Sequence, residues 1–442
     1  MNLIMKENAS HISKEPYKGV RDFYPEDMRV MRYITEVMRT SAEAFGYEEY
    51  TASVLESAEL YEAKSGEEMV TNETYTFIDR GERRVTLRPE MTPTVARMIA
   101  AKRKELMFPL RWYSIPNLFR YERPQRGRLR EHWQLNCDLF GAKSIAADAE
   151  ILLLASTIMK KFGAKEEDFE IRINHRSLMN SLFDDVLSLE TDARYKLAKL
   201  LDKKEKISKE EFLNELTVLI PEKATMLSHM LEAKTLDEFL QHSPLLSSSE
   251  GAQDVLSLLA HLSTLSLHNV RFVPTLMRGF DYYNGMVFEV FDTNPENRRS
   301  IFGGGRYDHL VDIFGVESVP AVGFGMGDVT IADFLTTHDL LPAFSSAHQL
   351  YIATVTEGDI AFAHTLATNL RASGINVLVN VTNKKLGEQV SYAAKKSIPF
   401  VLTVGENERA QHAYPLKNML TKEECVVSIE DVASLLLNTT TN

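Results

Sequence analysis

The chain has 442 residues, 44% of them hydrophobic and 25% charged, and a formal net charge of −12. That length exceeds one ordinary domain, and the composition is globular rather than disordered or fibrous. The acidic balance argues against non-specific coating of nucleic acid, no apolar run is long enough to span a bilayer, and Cys137 and Cys425 form neither a disulfide framework nor a zinc spacing.

Residues 1–16 are polar and read as a mobile N-terminus lacking the apolar core of a secretory signal, which points to the cytoplasm. Over residues 27–46, Met28, Met31, Ile34, Val37, Met38 and Phe45 recur at helical spacing, and Gly46 suits the stop. Residues 84–88 alternate as a strand does, and Pro93 opens a helix in its first turn.

From Arg111 to Arg130 the chain places six arginines in twenty residues. Trp112, Tyr113, Ile115, Leu118 and Phe119 lead into the run as a strand, and residues 133–140 lead out as another. Guanidinium forks bind phosphate oxygens bidentately and stack on base planes. A positive hairpin in an acidic protein is therefore either a focused polyanion site or a solvated surface hairpin.

Residues 148–163 read as a helix with Ile151, Leu154, Ala155, Ile158, Met159 and Phe162 on one stripe, Asp148 at the cap and Gly163 at the stop. Residues 177–268 are rich in Leu, Lys and Glu with helical periodicity and read as a helical insertion. Strand-like segments return at 271–275 and 286–292, followed by glycine-rich stretches. A polar linker spans 342–348. Beyond it, strands at 350–355, 376–381 and 399–405 alternate with helices at 359–373 and 385–397, the pattern of a small parallel α/β domain.

Several groups carry chemistry. Glu90 beside Thr92, between strand and helix, suits either an ammonium group or a helix N-terminus. Gln134 and Asp138 share one face of a strand among apolar neighbours, where a buried carboxylate needs a donor from a ligand or from the protein. The segment 278–285, with Arg278, Tyr282 and Tyr283, is polar and aromatic between two strands. Gly303-Gly304-Gly305-Arg306 has the glycines of a phosphate loop without its Lys-Ser/Thr ending. His132 and His175 show no metal spacing.

Taken together, these segments resemble the histidyl-tRNA synthetases, a class II aminoacyl-tRNA synthetase family, over nearly the whole chain. The resemblance runs through Lys18-Gly-Val-Arg21-Asp22, Gly46-Tyr-Glu-Glu49 with Leu55-Glu56, Arg88-Pro-Glu-Met-Thr92 and Phe119-Arg120-Tyr-Glu122-Arg123-Pro-Gln125. Arg278-Gly-Phe-Asp-Tyr-Tyr283 and Gly303-Gly-Gly-Arg-Tyr-Asp308 are its most specific parts.

The resemblance implies an α+β catalytic domain, an antiparallel sheet flanked by helices, over 17–176 and 269–341, with the insertion at 177–268 and an anticodon-binding domain at 349–442. It implies histidine, ATP with magnesium, and tRNA(His) as substrates, in a homodimer assembled through the first class II motif. Arg120 and Arg278 would then flank the α-phosphate as catalytic groups and also touch histidine. Glu90, Thr92 and Gln134 would hold the amino group, and Asp138, Tyr282 and Tyr283 the imidazole. Glu122, Arg128, Arg130, His132 and Arg306 would face ATP, and Arg123 and Gln125 the tRNA acceptor end. Lys384, Lys385 and Arg409 are candidate anticodon contacts, or simply parts of a solvated face.

Three positions depart from the family pattern. Thr330 stands where the third motif has an arginine for the triphosphate, His132 where a phenylalanine stacks on adenine, and Ser53 where the first motif has proline. A non-catalytic relative that senses histidine or tRNA, such as the regulatory subunit of ATP phosphoribosyltransferase, is the alternative.

Overall fold

The computed structural model describes residues 12–62, 73–204, 207–277, 282–297 and 299–439, with side chains to residue 436. The chain divides at Pro342 into two compact units.

In the first unit, α1 (Pro25–Ala44) starts with Pro25, whose fixed φ suits a first turn, and with Glu26 and Asp27 beside the positive helix end. It buries Met31, Ile34, Val37 and Met38. A nine-stranded mixed sheet forms the centre. In chain order its strands are β1 (Glu48–Glu49), β2 (Leu110–Ser114), β3 (Asn117–Phe119), β4 (Glu131–Phe140), β5 (Phe169–His175), β6 (Val270–Phe272), β7 (Met286–Asp292), β8 (Ser300–Arg306) and β9 (Ala321–Gly327). The spatial order is β1-β2-β4-β9-β8-β7-β5-β6, with β3 paired on β4. Only the outer pairs β1/β2 and β5/β6 are parallel.

One face of the sheet is covered by α3 (Ile145–Lys161), whose Ile151, Leu154 and Ile158 share a core with Leu135, Cys137 and Leu139 of β4. The helix begins three residues before Asp148, and Ser144 occupies its cap. Asp148 is thus not the cap that its position suggests. It is buried and ion-paired with Arg306 at 2.9 Å.

A separate antiparallel sheet of Leu55–Ser57, Arg84–Leu87 and Tyr75–Ile78 leads into α2 (Thr92–Lys102). Between β5 and β6 the described residues are helical, the longest helices being Thr191–Lys203, Lys209–Leu219 and Glu250–Thr264. Leu197, Leu216, Phe239 and Leu262 of this insertion join the core beneath the sheet. The crossover is what allows β6 to return parallel to β5.

The second unit holds β10 (Leu350–Thr354), β11 (Val377–Val379), β12 (Phe400–Val404), β13 (Tyr414–Asn418) and β14 (Glu424–Val427) in the order β11-β10-β12-β13-β14. The first three are parallel, but β13 and β14 add an antiparallel hairpin, so the sheet is mixed rather than purely parallel. Their short runs, with Lys417, Asn418 and Glu424 exposed or half-buried, carry no continuous apolar signal. No helix among the described residues is long and apolar enough to cross a membrane.

Candidate active site

Strand β4 builds the floor of a polar cleft. Its side chains alternate, so His132, Gln134, Asn136 and Asp138 face a cavity of about 270 Å³ while Leu135, Cys137 and Leu139 enter the core behind. On the neighbouring strand β9, Gly323, Gly325 and Gly327 lie opposite Asp138, Asn136 and Gln134. A Cβ on Gly323 would sit 2.3 Å from Asp138 Oδ1, and one on Gly325 would sit 2.1 Å from Gln134 Nε2. The glycines let the polar side chains of β4 lean across the sheet. Gly303, Gly304 and Gly305 lie within β8 beside them, as closely approached strand rather than as a phosphate loop.

The closed end of the cleft contains Asp138, Tyr307, Tyr282 and Tyr283. The Tyr307 hydroxyl donates to Asp138 Oδ1, whereas Asp138 Oδ2 is buried with no hydrogen-bond partner. Burial pushes the Asp138 carboxyl up to about 7, against which the Tyr307 hydrogen bond pulls down. Tyr282 packs on Tyr283 with ring centroids 4.8 Å apart and donates to Glu90 Oε2 at 3.1 Å. Thr92 is the first residue of α2 and lines the cleft instead of capping the helix.

Toward the mouth lie Arg120, Glu122, Arg128 and His132. Arg120 Nε donates to the Pro89 carbonyl at 3.0 Å, which fixes the guanidinium against the wall. Arg128 and Glu122 approach to 3.6 Å. Burial, followed by the charge of Arg120, lowers the His132 ring to about 3, so the imidazole is a neutral plane near pH 7. Arg123 and Gln125 are exposed on the loop outside the lining, and the Gln125 backbone bonds to Arg128.

The family model for histidyl-tRNA synthetase matches residues 19–329. The chain belongs to the histidyl-tRNA synthetase family. A model of the anticodon-binding domain matches residues 349–439. The chain is 43% identical over 429 residues to the histidine–tRNA ligase of Leptospira biflexa, covering 97% of this chain and 98% of that one. It is 35% identical over 433 residues to the histidine–tRNA ligase of Thermoplasma volcanium, covering 96% and 99%. The fold matches the crystal structure of histidyl-tRNA synthetase from Nostoc with a TM-score of 0.82, at 23% identity, over 97% of this chain and 100% of that one.

For a histidyl-tRNA synthetase, most of the expected positions converge: Glu90, Thr92, Arg120, Glu122, Arg128, His132, Gln134, Asp138, Tyr282 and Tyr283 all line one cleft. Arg278 lies outside the described residues. Two arginines expected at ATP sit elsewhere. Arg130 is buried beneath Tyr121, its guanidinium 4.1 Å from the ring centroid, and it donates to the Tyr17 hydroxyl and the Glu122 carbonyl. Arg306 is held by Asp148 at 2.9 Å and Asp308 at 3.1 Å behind the cleft.

Tyr307 and Asn136 went unassigned from sequence. Asn136 was legible, because period-two alternation puts it between Gln134 and Asp138. Nothing local pairs Tyr307 with a carboxylate 169 positions away. Thr330 lines the cleft with its hydroxyl bonded to the Gly327 carbonyl at 3.2 Å, so no charge enters at that position. Two residues earlier, Asp328 is buried and pairs with Arg21 at 2.7 Å. In the second unit, Arg409 pairs with Asp359 at 3.2 Å, whereas Lys384 and Lys385 are exposed before the helix Leu386–Lys395.

Proposed function

We propose that the chain activates L-histidine with ATP to histidyl-adenylate and then transfers histidine to the 3′ end of tRNA(His). The observation that carries the specificity is the buried, unpartnered Oδ2 of Asp138 at the closed end of the cleft. A histidine ring would give it an N–H, with the Tyr283 hydroxyl serving the other ring nitrogen. A side chain lacking that donor would leave the acceptor unsatisfied at a cost of about 1–3 kcal/mol.

Glu90 would hold the ammonium group with Thr92 and Gln134, and its carboxylate is already oriented by Tyr282. Arg120 would sit between the substrate carboxylate and the α-phosphate. In the first step, a carboxylate oxygen bonds to the α-phosphorus and the bond to the pyrophosphate oxygen breaks in line. Arg120 would stabilise the charge that builds there, and the sheet would hold the reactants in register. In the second step, a ribose hydroxyl of the terminal nucleotide bonds to the acyl carbon, and AMP leaves with the bonding electron pair while its phosphate takes up the hydroxyl proton. Arg123 and Gln125, both exposed, would meet that nucleotide's strand.

Magnesium would arrive on the ATP phosphates. Glu122, a carboxylate in the lining, suits the oxygen preference of that ion. A homodimer is in keeping with the exposed apolar Leu55, Phe77 and Ile78 on the small sheet. We infer a cytoplasmic location, where ATP and tRNA are both available.

The anticodon-binding match favours catalysis over a histidine-sensing regulatory relative. Charging a tRNA(His) transcript with labelled histidine tests the proposal. Acid-stable adenylate without charged tRNA, or neither product, would overturn it.

A further inference from the structure

We propose that Arg126 binds the terminal phosphates of ATP from the turn between Arg120 and Arg130, supplying the charge that Thr330 lacks. This rests on the reading of the cleft as a histidine- and ATP-binding site.

The charge count in the cleft is the starting point. Among the described residues its lining holds two arginines, Arg120 and Arg128, against three carboxylates, Glu90, Glu122 and Asp138. That set does not balance a triphosphate. A second cavity of about 300 Å³ continues outward from the first. The two share Gly127, Ser300, Ile301 and Thr330, and the second adds Arg126 and Arg299 to its wall, with Glu296 and Asp333.

Arg126 is delivered there by a built turn. Gln125 and Arg128 exchange backbone hydrogen bonds at 3.0 and 2.9 Å around Arg126-Gly127. Gly127 has φ +75, the left-handed conformation that glycine adopts without strain. Arg299 donates to the Arg126 carbonyl at 2.7 Å and braces the turn. The guanidinium then docks on α4 (Asp328–Thr337), with Arg126 Nε at 3.0 and 3.1 Å from the two carboxylate oxygens of Asp333.

Asp333 is three residues after Thr330, on the same helix face. The turn lies directly against this position, since a Cβ on Gly127 would meet the Thr330 methyl at 3.6 Å, an ordinary van der Waals contact. Asp333 is therefore a positioning residue that parks a cation over the position where a side chain at 330 would project. The guanidinium has donors beyond the Asp333 contact and is 57% exposed, so it can engage phosphate oxygens without leaving its partner. Arg306 is held by Asp148 behind the cleft, and Arg299, on the same wall, commits a donor to the Arg126 carbonyl.

The test measures nucleotide affinity directly by calorimetry, with ATP and AMP as the two probes, in wild type, Arg126→Ala, Thr330→Arg and the double variant. Losing one charge-assisted contact lowers ATP affinity about tenfold or more. Arg126→Ala should show that loss for ATP and none for AMP, and Thr330→Arg in the same chain should restore it. Equal ATP affinity in wild type and Arg126→Ala, an equal loss for AMP, or no restoration by Thr330→Arg would overturn the proposal. If wild type binds neither nucleotide, the reading of the cleft itself fails, which is a distinct result.

Discussion

Gly323 and Asp138 face each other across β9 and β4 so closely that a single methyl group on the glycine would lie 2.3 Å from the aspartate oxygen. The space that the glycine leaves empty is what lets a buried carboxylate lean into the cleft. Gly323→Ala should therefore raise the KM for histidine by at least about tenfold and lower stability by about 1–3 kcal/mol, because Cys137's carbonyl also blocks the new atom at 2.5 Å. Exchange kinetics and denaturant unfolding would check both. A variant with wild-type KM would show that the close approach is not what shapes the pocket.

Asp138 should cost the fold stability in return for binding. Its carboxyl, normally near 3.8, is pushed up to about 7 by burial. The folded state therefore holds a proton that the unfolded state has released across that interval, so this group's effect on stability turns unfavourable as pH rises through it. Asp138→Asn should gain thermal stability relative to wild type between about pH 4 and 7, keep that gain above, and lose histidine binding throughout. A Tm difference that is flat across this range would refute the shifted titration.

His132 should behave as a neutral aromatic plane. With its ring lowered to about 3, it does not ionise in the working range. The KM for ATP should show no inflection from this residue between about pH 5 and 8, and His132→Phe should leave it within about threefold. Comparing the pH profiles of the two proteins decides this. A large loss in the phenylalanine variant would assign the ring a polar role.

Arg306 should matter for folding more than for ATP. Removing it leaves the buried carboxylate of Asp148 without its cation, a loss of about 3–5 kcal/mol. Chemical unfolding of Arg306→Met should show this, while the KM for ATP, measured well below the melting temperature, stays close to wild type. A raised KM without loss of stability would return Arg306 to the nucleotide.

What the sequence made legible follows from locality. The alternation of β4 puts Gln134 and Asp138 on one face, and the stripe of α1 and of α3 is written in residues three and four apart, so these could be read directly. The arginine-rich run read as either a polyanion site or a solvated hairpin, and it did not say which arginines line a cleft. Arg120 and Arg128 line the cleft, whereas Arg130 is taken by Tyr17 and Tyr121 and Arg306 by Asp148. Those partners lie up to 158 positions away, and no local pattern records them. Asp148 misled for the same reason: a carboxylate near a helix start reads as a cap until its distant partner is known. The hairpin β13–β14 was missed because its strands are short and partly polar.

The most direct measurement is amino-acid-dependent exchange of pyrophosphate into ATP, run with each of the twenty amino acids in the presence of magnesium. The account predicts exchange with histidine and none above background with the others, because it assigns one imidazole nitrogen to Asp138 Oδ2 and the other to the Tyr283 hydroxyl. No exchange at saturating histidine and ATP, or comparable exchange with another amino acid, would contradict it.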